Sequence, residues 1–253
     1  MSLSQVQNLT AFVQGASRGI GLELVRQLAS RTDMVYASCR QPEKADALQS
    51  LAEEWPARIT ILPIDVTDEN SIQAAAVKLQ GQKLHLLINC AGILHQVSSQ
   101  MKPEKKIEDL QLEHIEAAMR VNAIGPMLMV KHFFPLFRHK ERSLIVNLSA
   151  RVGSITDNQL GGWYSYRASK AAQNMLTKTL SWELKRRCEN AIVVAFHPGT
   201  VDTELSQPFQ AGVPADRLFS SSRAAKQLIS LALTWNLNDN GKFYAWDGIE
   251  IPW

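Results

Sequence analysis

The sequence predicts an α/β fold: one Rossmann-type domain over residues 1–253, built on a doubly wound parallel sheet of about seven strands flanked by helices. Short apolar runs rich in β-branched residues alternate with longer segments of helical periodicity, an order typical of βαβ units. The runs are apolar throughout rather than at every second position, which indicates strands buried on both faces. No linker-like segment divides the chain, so a second domain is not expected.

The individual elements follow from these runs. Strands are predicted at residues 9–14, 34–38, 59–64, 84–89, 144–148 and 192–196. Helices are predicted at residues 21–30, 45–54, 71–79 and 165–187, and Thr67 or Asp68 can cap the third of them. The stretches that do not fit the alternation are residues 93–112, 151–163 and 202–220. All three leave the carboxyl ends of predicted strands, where ligands bind in sheets of this kind.

The composition narrows the class of partner. Hydrophobic residues make up 45% of the chain and charged residues 20%, which is ordinary for a globular protein. The formal net charge of +3 is small for a protein that binds nucleic acid in a groove. The densest basic stretch, residues 102–106, is expected to be a solvated loop. The cysteines form no CxxC pair, and no apolar run reaches the length of a membrane span. We therefore expect no disulfide framework, metal site, nucleic-acid partner or membrane partner, and a cytoplasmic location.

The first strand runs into a glycine turn ahead of a helix, with the spacing GxxxGxG. Glycine allows a tight turn and lets the backbone approach a pyrophosphate. The exposed N–H groups and the helix dipole then favour an anion. The candidate cofactor-binding residues of this turn are Gly15, Ser17, Arg18, Gly19, Ile20 and Gly21. A plain strand-to-helix turn has the same composition, so the motif alone does not decide.

The end of the second strand bears on which dinucleotide would bind there. The sequence Ala37-Ser38-Cys39-Arg40 contains no acid that would accept the ribose hydroxyls of NAD(H). Arg40 can instead meet the 2′-phosphate of NADP(H), with Arg18 as a second charge. We therefore expect NADP(H) to be preferred over NAD(H); the alternative is that both arginines are solvated.

Tyr166 and Lys170 form a YxxxK pair within a helical pattern. Four residues span about one helical turn, so both side chains project from one face. The pKa of a free tyrosine, about 10, is too high for easy proton transfer, and a nearby ammonium lowers it. The pair therefore suits a general acid/base, although an isolated YxxxK also occurs by chance on many helices.

Several motifs in order are far more specific than any one of them. They are the glycine turn, Asn89-Cys90-Ala91-Gly92, Asn122-Ala123-Ile124-Gly125, Ser149, the Tyr166/Lys170 pair and Pro198-Gly199. Over essentially its whole length the chain resembles the short-chain dehydrogenase/reductase family. Residues 162–170 and 241–253 resemble the branch with C-factor-like proteins and sniffer-type carbonyl reductases.

The resemblance implies an oxidoreductase that transfers a hydride between NADP(H) and a carbonyl or alcohol substrate. Tyr166 would protonate the carbonyl oxygen, and Lys170 would hold the nicotinamide ribose and lower the tyrosine pKa. Asn122 would help to position a water in a proton relay. The cofactor contacts that the resemblance adds to the glycine turn are Asp65 near the adenine, Val66, Asn89 with the backbone at Ala91 and Gly92 on the adenosine side, Tyr166 and Lys170, and, after Pro198 and Gly199, Val201 and Thr203 near the nicotinamide carboxamide or phosphates.

The sequence departs from the family pattern at the catalytic serine. If Asn147 and Gly153 are aligned with the family, that position falls on Ala150 rather than Ser149. Adjacent strand residues point to opposite faces, so Ser149 would then face away from the substrate. A local shift could restore Ser149, which stays a candidate catalytic residue, and Ser154 is another nearby hydroxyl. The longer interval to the tyrosine suggests an inserted loop.

Two classes of function remain open. The first is the NADP-dependent oxidoreductase, and the second is a cofactor-binding regulatory or signalling protein that keeps the fold with little or no turnover. A nucleotide-sugar epimerase is disfavoured, because no region is left for a sugar-nucleotide domain. Relatives are commonly homodimers or homotetramers, and the helices starting near Glu113 and Ser165 could form such an interface.

Overall fold

The computed structural model describes residues 3–96 and 100–253. Its strands are β1 (Thr10–Gln14), β2 (Met34–Cys39), β3 (Ile59–Pro63), β4 (Leu86–Asn89), β5 (Ser143–Leu148), β6 (Ala191–His197), the short pair β7 (Thr200–Val201) and β8 (Leu218–Phe219), and β9 (Phe243–Ala245). The main sheet has seven parallel strands in the order β3-β2-β1-β4-β5-β6-β9, which confirms the predicted fold class. The strand order reverses between β1 and β4, and such a switch point is where open α/β sheets bind ligands.

Helices cover both faces of this sheet. They are α1 (Gly19–Ala29), α2 (Asp46–Glu54), α3 (Glu69–Lys78), α4 (Leu112–Met119), α5 (Gly125–Phe133), α6 (Tyr164–Arg187) and α7 (Ser221–Ala232). A π-helical turn, Arg120–Ile124, joins α4 to α5. Asp68, not Thr67, caps α3, because its carboxylate accepts a hydrogen bond from the Asn70 N–H at 3.0 Å.

The core is divided by the sheet. Val13 on β1 packs in the cluster that contains residues of α1 and α7. Its neighbour Phe12 packs on the opposite face, where its ring meets Phe133 of α5 edge-on at 4.8 Å. Each such buried side chain contributes about 1.5–3 kcal/mol. The two cores therefore fix the sheet, and with it the carboxyl ends of the strands.

Several elements differ from the prediction. Helices α1 and α3 begin at Gly19 and Glu69, each two residues before the predicted start. The last strand, β9, has only three residues, so its apolar run is too short to predict a strand. The 202–220 stretch is not wholly irregular, because β8 pairs with β7. In the 102–106 stretch the lysines are exposed as expected, but Glu104 is 2% exposed.

Residues 97–99 of the 93–112 stretch lie outside the described residues. None of the helices in residues 3–96 and 100–253 combines the length and apolar character that a membrane span requires.

Candidate active site

A cleft of about 960 Å³ lies at the carboxyl ends of the central strands. Every candidate site residue lines it except Asn89 and Asn122. Those that line it are Gly15, Ser17, Arg18, Gly19, Ile20, Gly21, Arg40, Asp65, Val66, Ala91, Gly92, Ser149, Tyr166, Lys170, Pro198, Gly199, Val201 and Thr203. The fold therefore gathers side chains from the whole length of the chain at the switch point of the sheet.

The glycine turn forms one end of the cleft. Gly15 has φ +84°, a conformation that favours glycine. A Cβ on Gly21 would lie 2.1 Å from the Gly15 carbonyl oxygen, so only glycine lets α1 approach β1 this closely. Arg18 at the N-cap makes no side-chain cap bond, and the first N–H groups of α1 have no partner within the helix. This end fits a diphosphate, because open N–H groups at a helix N-terminus bind anions.

Charged side chains stand beside the glycine turn. Arg40 is exposed and lines the cleft just beyond the end of β2, where a 2′-phosphate would be met. The Asp65 carboxylate is taken up locally, since it accepts hydrogen bonds from the Thr67 N–H at 2.9 Å and hydroxyl at 2.7 Å. Arg18 pairs with Glu204 across 3.3 Å, with both side chains about two-thirds exposed. Such exposed pairs contribute at most about 1 kcal/mol, so Arg18 can turn to another anion at low cost.

Tyr166 and Lys170 form the opposite wall, on the first turns of α6. They are 8% and 3% exposed, and the Lys170 Nζ lies 5.9 Å from the centroid of the Tyr166 ring. Nζ donates to the Leu148 carbonyl oxygen at 2.7 Å and to Gln173 Oε1 at 3.0 Å. The lysine is thus fixed between β5 and its own helix, with its charge beneath the tyrosine.

Burial dominates the pKa values of this pair. It raises the pKa of Tyr166 above its ordinary range and lowers the pKa of Lys170 to about 8. This direction is opposite to the expectation that the ammonium lowers the tyrosine pKa, because desolvation of the phenolate outweighs an ammonium at that distance. The phenol is therefore protonated at neutral pH.

The two candidate asparagines lie behind the wall of the cleft. Asn122, in the π-helical turn, is fully buried; its Oδ1 accepts from the Ile93 N–H and its Nδ2 donates to the Ile93 carbonyl, both at 2.8 Å, and to the Ser169 hydroxyl at 2.9 Å. It therefore ties the chain after β4 to α6. Asn89 donates to Asn147 Oδ1 at 2.8 Å, because β4 is buried on both faces. The expected contact of Asn89 with the cleft is not seen.

Ser149, the candidate catalytic serine, makes a structural hydrogen bond. The Ser149 hydroxyl donates to Asn174 Oδ1 at 2.6 Å, and Asn174 Nδ2 donates to the Gly153 carbonyl at 3.2 Å. Ala150 is the more exposed neighbour and also lines the cleft. The Ser154 hydroxyl accepts from the Asp157 N–H at 3.1 Å. These bonds favour the alignment that puts Ala150 at the catalytic serine position.

Aromatic side chains that line the cleft near Tyr166 form a wall whose other members are not among the candidate site residues. Trp163 meets Tyr166 edge-on at 6.3 Å and Phe209 at 5.1 Å, and His95 meets Phe209 at 5.9 Å. All four side chains line the cleft. The one signal in the sequence is the Gly161-Gly162 pair, which gives a tight turn before Trp163; Phe209 carries no local signal.

The described residues contain no group of three or more His, Cys, Asp or Glu side chains that could hold a metal ion. The cleft combines the glycine turn, cationic side chains and the tyrosine–lysine pair at one edge of a parallel sheet.

Comparison with known proteins names the family. The model of the short chain dehydrogenase family matches residues 9–213. The chain therefore belongs to this family of oxidoreductases, as its motifs indicated.

The similarity to individual proteins covers nearly the whole chain. The chain is 31% identical to 1-hydroxy-2-glutathionyl-2-methyl-3-butene dehydrogenase of Rhodococcus sp. (strain AD45) over 96% of its own length and 99% of that protein. The NADPH-bound carbonyl reductase from chicken fatty liver superposes with a TM-score of 0.86 at 31% identity, covering 98% and 100% of the two chains. The carbonyl reductase Sniffer of D. melanogaster gives 0.84 at 25% identity, with the same coverage.

Proposed function

We propose that the chain is an NADP(H)-dependent reductase of small carbonyl compounds, or dehydrogenase of the corresponding alcohols. The observation that carries the proposal is the buried Tyr166/Lys170 pair on the wall of a cleft whose other end is the uncapped N-terminus of α1. The chicken carbonyl reductase, of similar fold, binds NADPH, which supports the choice of cofactor.

The proposed roles of Tyr166, Lys170 and Asn122 follow from their contacts. NADPH, when bound, supplies the hydride. Tyr166 donates its proton to the substrate carbonyl oxygen, and burial keeps the phenol protonated until then, since it raises the tyrosine pKa. Lys170 uses two of its three N–H groups on Leu148 and Gln173, which leaves one for a ribose hydroxyl of the cofactor. Asn122 keeps the chain after β4 against α6, and its part in a proton relay remains a proposal.

The cofactor contacts are proposed on the same ground. Gly15, Gly19 and Gly21 with the N–H groups of α1 would hold the diphosphate, and Arg40 would bind the 2′-phosphate. Arg40 is supported by its exposure at the rim and by its position at the end of β2. Fluorescence titration with NADPH and with NADH measures the preference directly, and equal dissociation constants would contradict it.

Consumption of NADPH with a panel of aldehydes and ketones tests the reaction. Tyr166→Phe should lower kcat/KM by about 100- to 10,000-fold, because the positioned acid is lost. The dissociation constant for NADPH should stay unchanged, which shows that the variant is folded. Carbonyl reduction that survives the substitution in an otherwise active enzyme would contradict the proposed role.

One observation favours a second candidate, a cofactor-binding regulatory protein. The Ser149 hydroxyl is hydrogen-bonded to Asn174, and the neighbouring cleft residue is Ala150. The serine hydroxyl that would support the substrate oxygen is therefore engaged in a structural bond in this chain. The retained Tyr166/Lys170 pair opposes this candidate. Tight NADPH binding without turnover of any carbonyl in the panel would support it.

We propose a homodimer or homotetramer in which α4 and α6 form the interface. Leu112, Met175 and Trp182 support this, because they are 66%, 66% and 55% exposed although they are large and apolar. Met175 and Trp182 are seven residues apart on α6 and so share one face. Light scattering tests the assembly, and a monomeric mass at assay concentrations would contradict it.

We also propose that residues 1–253 act as one cofactor-binding domain in the cytoplasm. The seven strands of the main sheet span the chain from Thr10 to Ala245, which supports a single folding unit. Cys39, Cys90 and Cys188 are free thiols, which suits a reducing compartment. A single cooperative unfolding transition is expected, and two separate transitions would contradict the single domain.

A further inference from the structure

A buried carboxylate joins the 93–112 stretch to the helix that carries the tyrosine. Glu104 is 2% exposed although Lys102 and Lys105 beside it are solvated. Its carboxylate accepts hydrogen bonds from the Ser165 N–H, at 3.2 Å, and from the Ser165 hydroxyl. Its own carbonyl oxygen accepts from the Trp163 N–H at 2.6 Å.

The burial of this charge calls for an explanation. Taking a carboxylate out of water is unfavourable unless its partners replace the lost hydration. Here the partner is the N-terminus of α6, whose open N–H groups and positive dipole end favour an anion. The first turn of α6 has no acidic residue, and its N-cap makes no side-chain bond. Glu104 supplies, from 61 residues away along the chain, the cap that the local sequence lacks.

The residues that Glu104 holds lie directly beside the tyrosine. Ser165 precedes Tyr166 on α6. Trp163 has φ +52°, a left-handed conformation that is unfavourable for a residue with a side chain, and its ring packs on Tyr166 and Phe209. The bonds from Glu104 therefore fix the start of the helix and the strained aromatic wall together.

We propose that Glu104 is a positioning residue that aligns the Tyr166 phenol with the aromatic wall of the substrate end, an inference that rests on the proposed function of Tyr166. The cofactor end is built by β1, β2 and α1, which Glu104 does not contact. Loss of Glu104 should therefore impair proton transfer and carbonyl binding, and should leave NADPH affinity unchanged.

Paired substitutions at Glu104 test this. Glu104→Ala removes both bonds and should lower kcat by about 10- to 100-fold, since small misplacements of reacting groups cost that much. Glu104→Gln should retain kcat within about threefold, because its amide oxygen can accept from the Ser165 N–H while its NH₂ donates to the hydroxyl. The matched control is Glu108→Ala, an exposed carboxylate in the same stretch, which should change nothing.

A second measurement does not depend on activity. Amide hydrogen exchange over residues 163–168 should be faster in Glu104→Ala than in the wild type and in Glu104→Gln. If Glu104→Ala does not fold, Ser165→Ala, which removes only the hydroxyl, should lower kcat with NADPH affinity retained.

The outcomes separate this inference from the proposed function. A folded wild type that binds NADPH but reduces no carbonyl would contradict the proposed function. An active wild type in which Glu104→Ala keeps its kcat, or loses NADPH affinity as much as kcat, would overturn the positioning role alone. The same holds if Ser165→Ala, used in its place, keeps the wild-type kcat.

Discussion

The two ends of the cleft are built in different ways. The proposed cofactor end comes mainly from one continuous segment, β1, the glycine turn and α1, with Arg40 added from the end of β2, and its chemistry is mostly that of the backbone. The substrate end is assembled from the 93–112, 151–163 and 202–220 stretches through side-chain contacts such as Glu104 with Ser165 and Trp163 with Phe209. A backbone site needs only the right glycines, whereas a side-chain site depends on partners far apart in sequence.

The largest effect is expected at the cofactor end. Gly21→Ala would place a Cβ 2.1 Å from the Gly15 carbonyl oxygen, so α1 must move away from β1. Overpacking of this kind costs about 1–3 kcal/mol of folding free energy. We expect NADPH affinity to fall at least about 100-fold, because a shift of about 1 Å spoils an aligned site. Titration with NADPH and denaturant unfolding measure both effects.

The matched control for that variant is Gly212→Ala. A Cβ at Gly212 meets nothing within 4 Å, and its backbone is not in the left-handed region. It should bind NADPH as the wild type does. A Gly21→Ala protein with wild-type affinity would show that the glycine turn does not form the diphosphate site.

The same contrast explains what could be predicted from the sequence. The strands, the glycine turn and the tyrosine–lysine spacing are local patterns, and the structure brings Gly15, Arg40, Tyr166 and Lys170 to one cleft. The burial of Glu104 and the role of Phe209 are not local, since neither residue has a periodic or motif signal around it. The sequence therefore predicted that the glycine turn and the Tyr166/Lys170 pair line the cleft, but it wrongly placed Asn89 there as well. It left residues such as Glu104 and Phe209 in three unassigned stretches.

Lys170 lies where the two ends meet, and burial should make its effect on stability depend on pH. Burial lowers the pKa of Lys170 to about 8 from its ordinary value of 10.5. Between these values the unfolded chain binds a proton that the folded chain does not, so stability rises as pH rises through this interval. Lys170→Met has no ammonium to desolvate on folding, so its stability lacks this dependence on pH.

The free energy of unfolding of Lys170→Met, relative to that of the wild type, should therefore be greater at pH 7 than at pH 10, by about 1–3 kcal/mol. Denaturant unfolding at both pH values measures this difference. An equal difference at the two pH values would show that the lysine is not desolvated in the folded protein.

At the substrate end the expected effect is on the substrate alone. Trp163→Ala removes the ring that meets Tyr166 and Phe209 on the cleft wall and should raise KM for an aromatic ketone about tenfold, since a substrate ring packed on Trp163 would contribute about 1 kcal/mol. NADPH affinity should not change. Leu237→Ala, which removes an exposed apolar side chain outside the cleft, is the control. A loss of NADPH affinity in Trp163→Ala would mean that the two ends are not separable.

The smallest effects are expected at the serine, and there the direction matters more than the size. Ser149→Ala removes the bond to Asn174 and should cost about 1 kcal/mol of folding free energy, with kcat changed less than about threefold. Ala150→Ser adds a hydroxyl to the cleft wall that Tyr166 shares and should raise kcat about 3- to 10-fold, because it can support the developing oxyanion.

Steady-state kinetics and unfolding of the same two variants distinguish the alternatives. If Ser149→Ala lowers kcat about 100-fold and Ala150→Ser has no effect, Ser149 turns from Asn174 to the substrate during reaction. The substrate end would then have the serine of its relatives, shifted by one residue. If the first variant loses only stability and the second gains activity, Ser149 holds β5 to α6, and the substrate end of this chain works with a tyrosine and a lysine but without a serine hydroxyl.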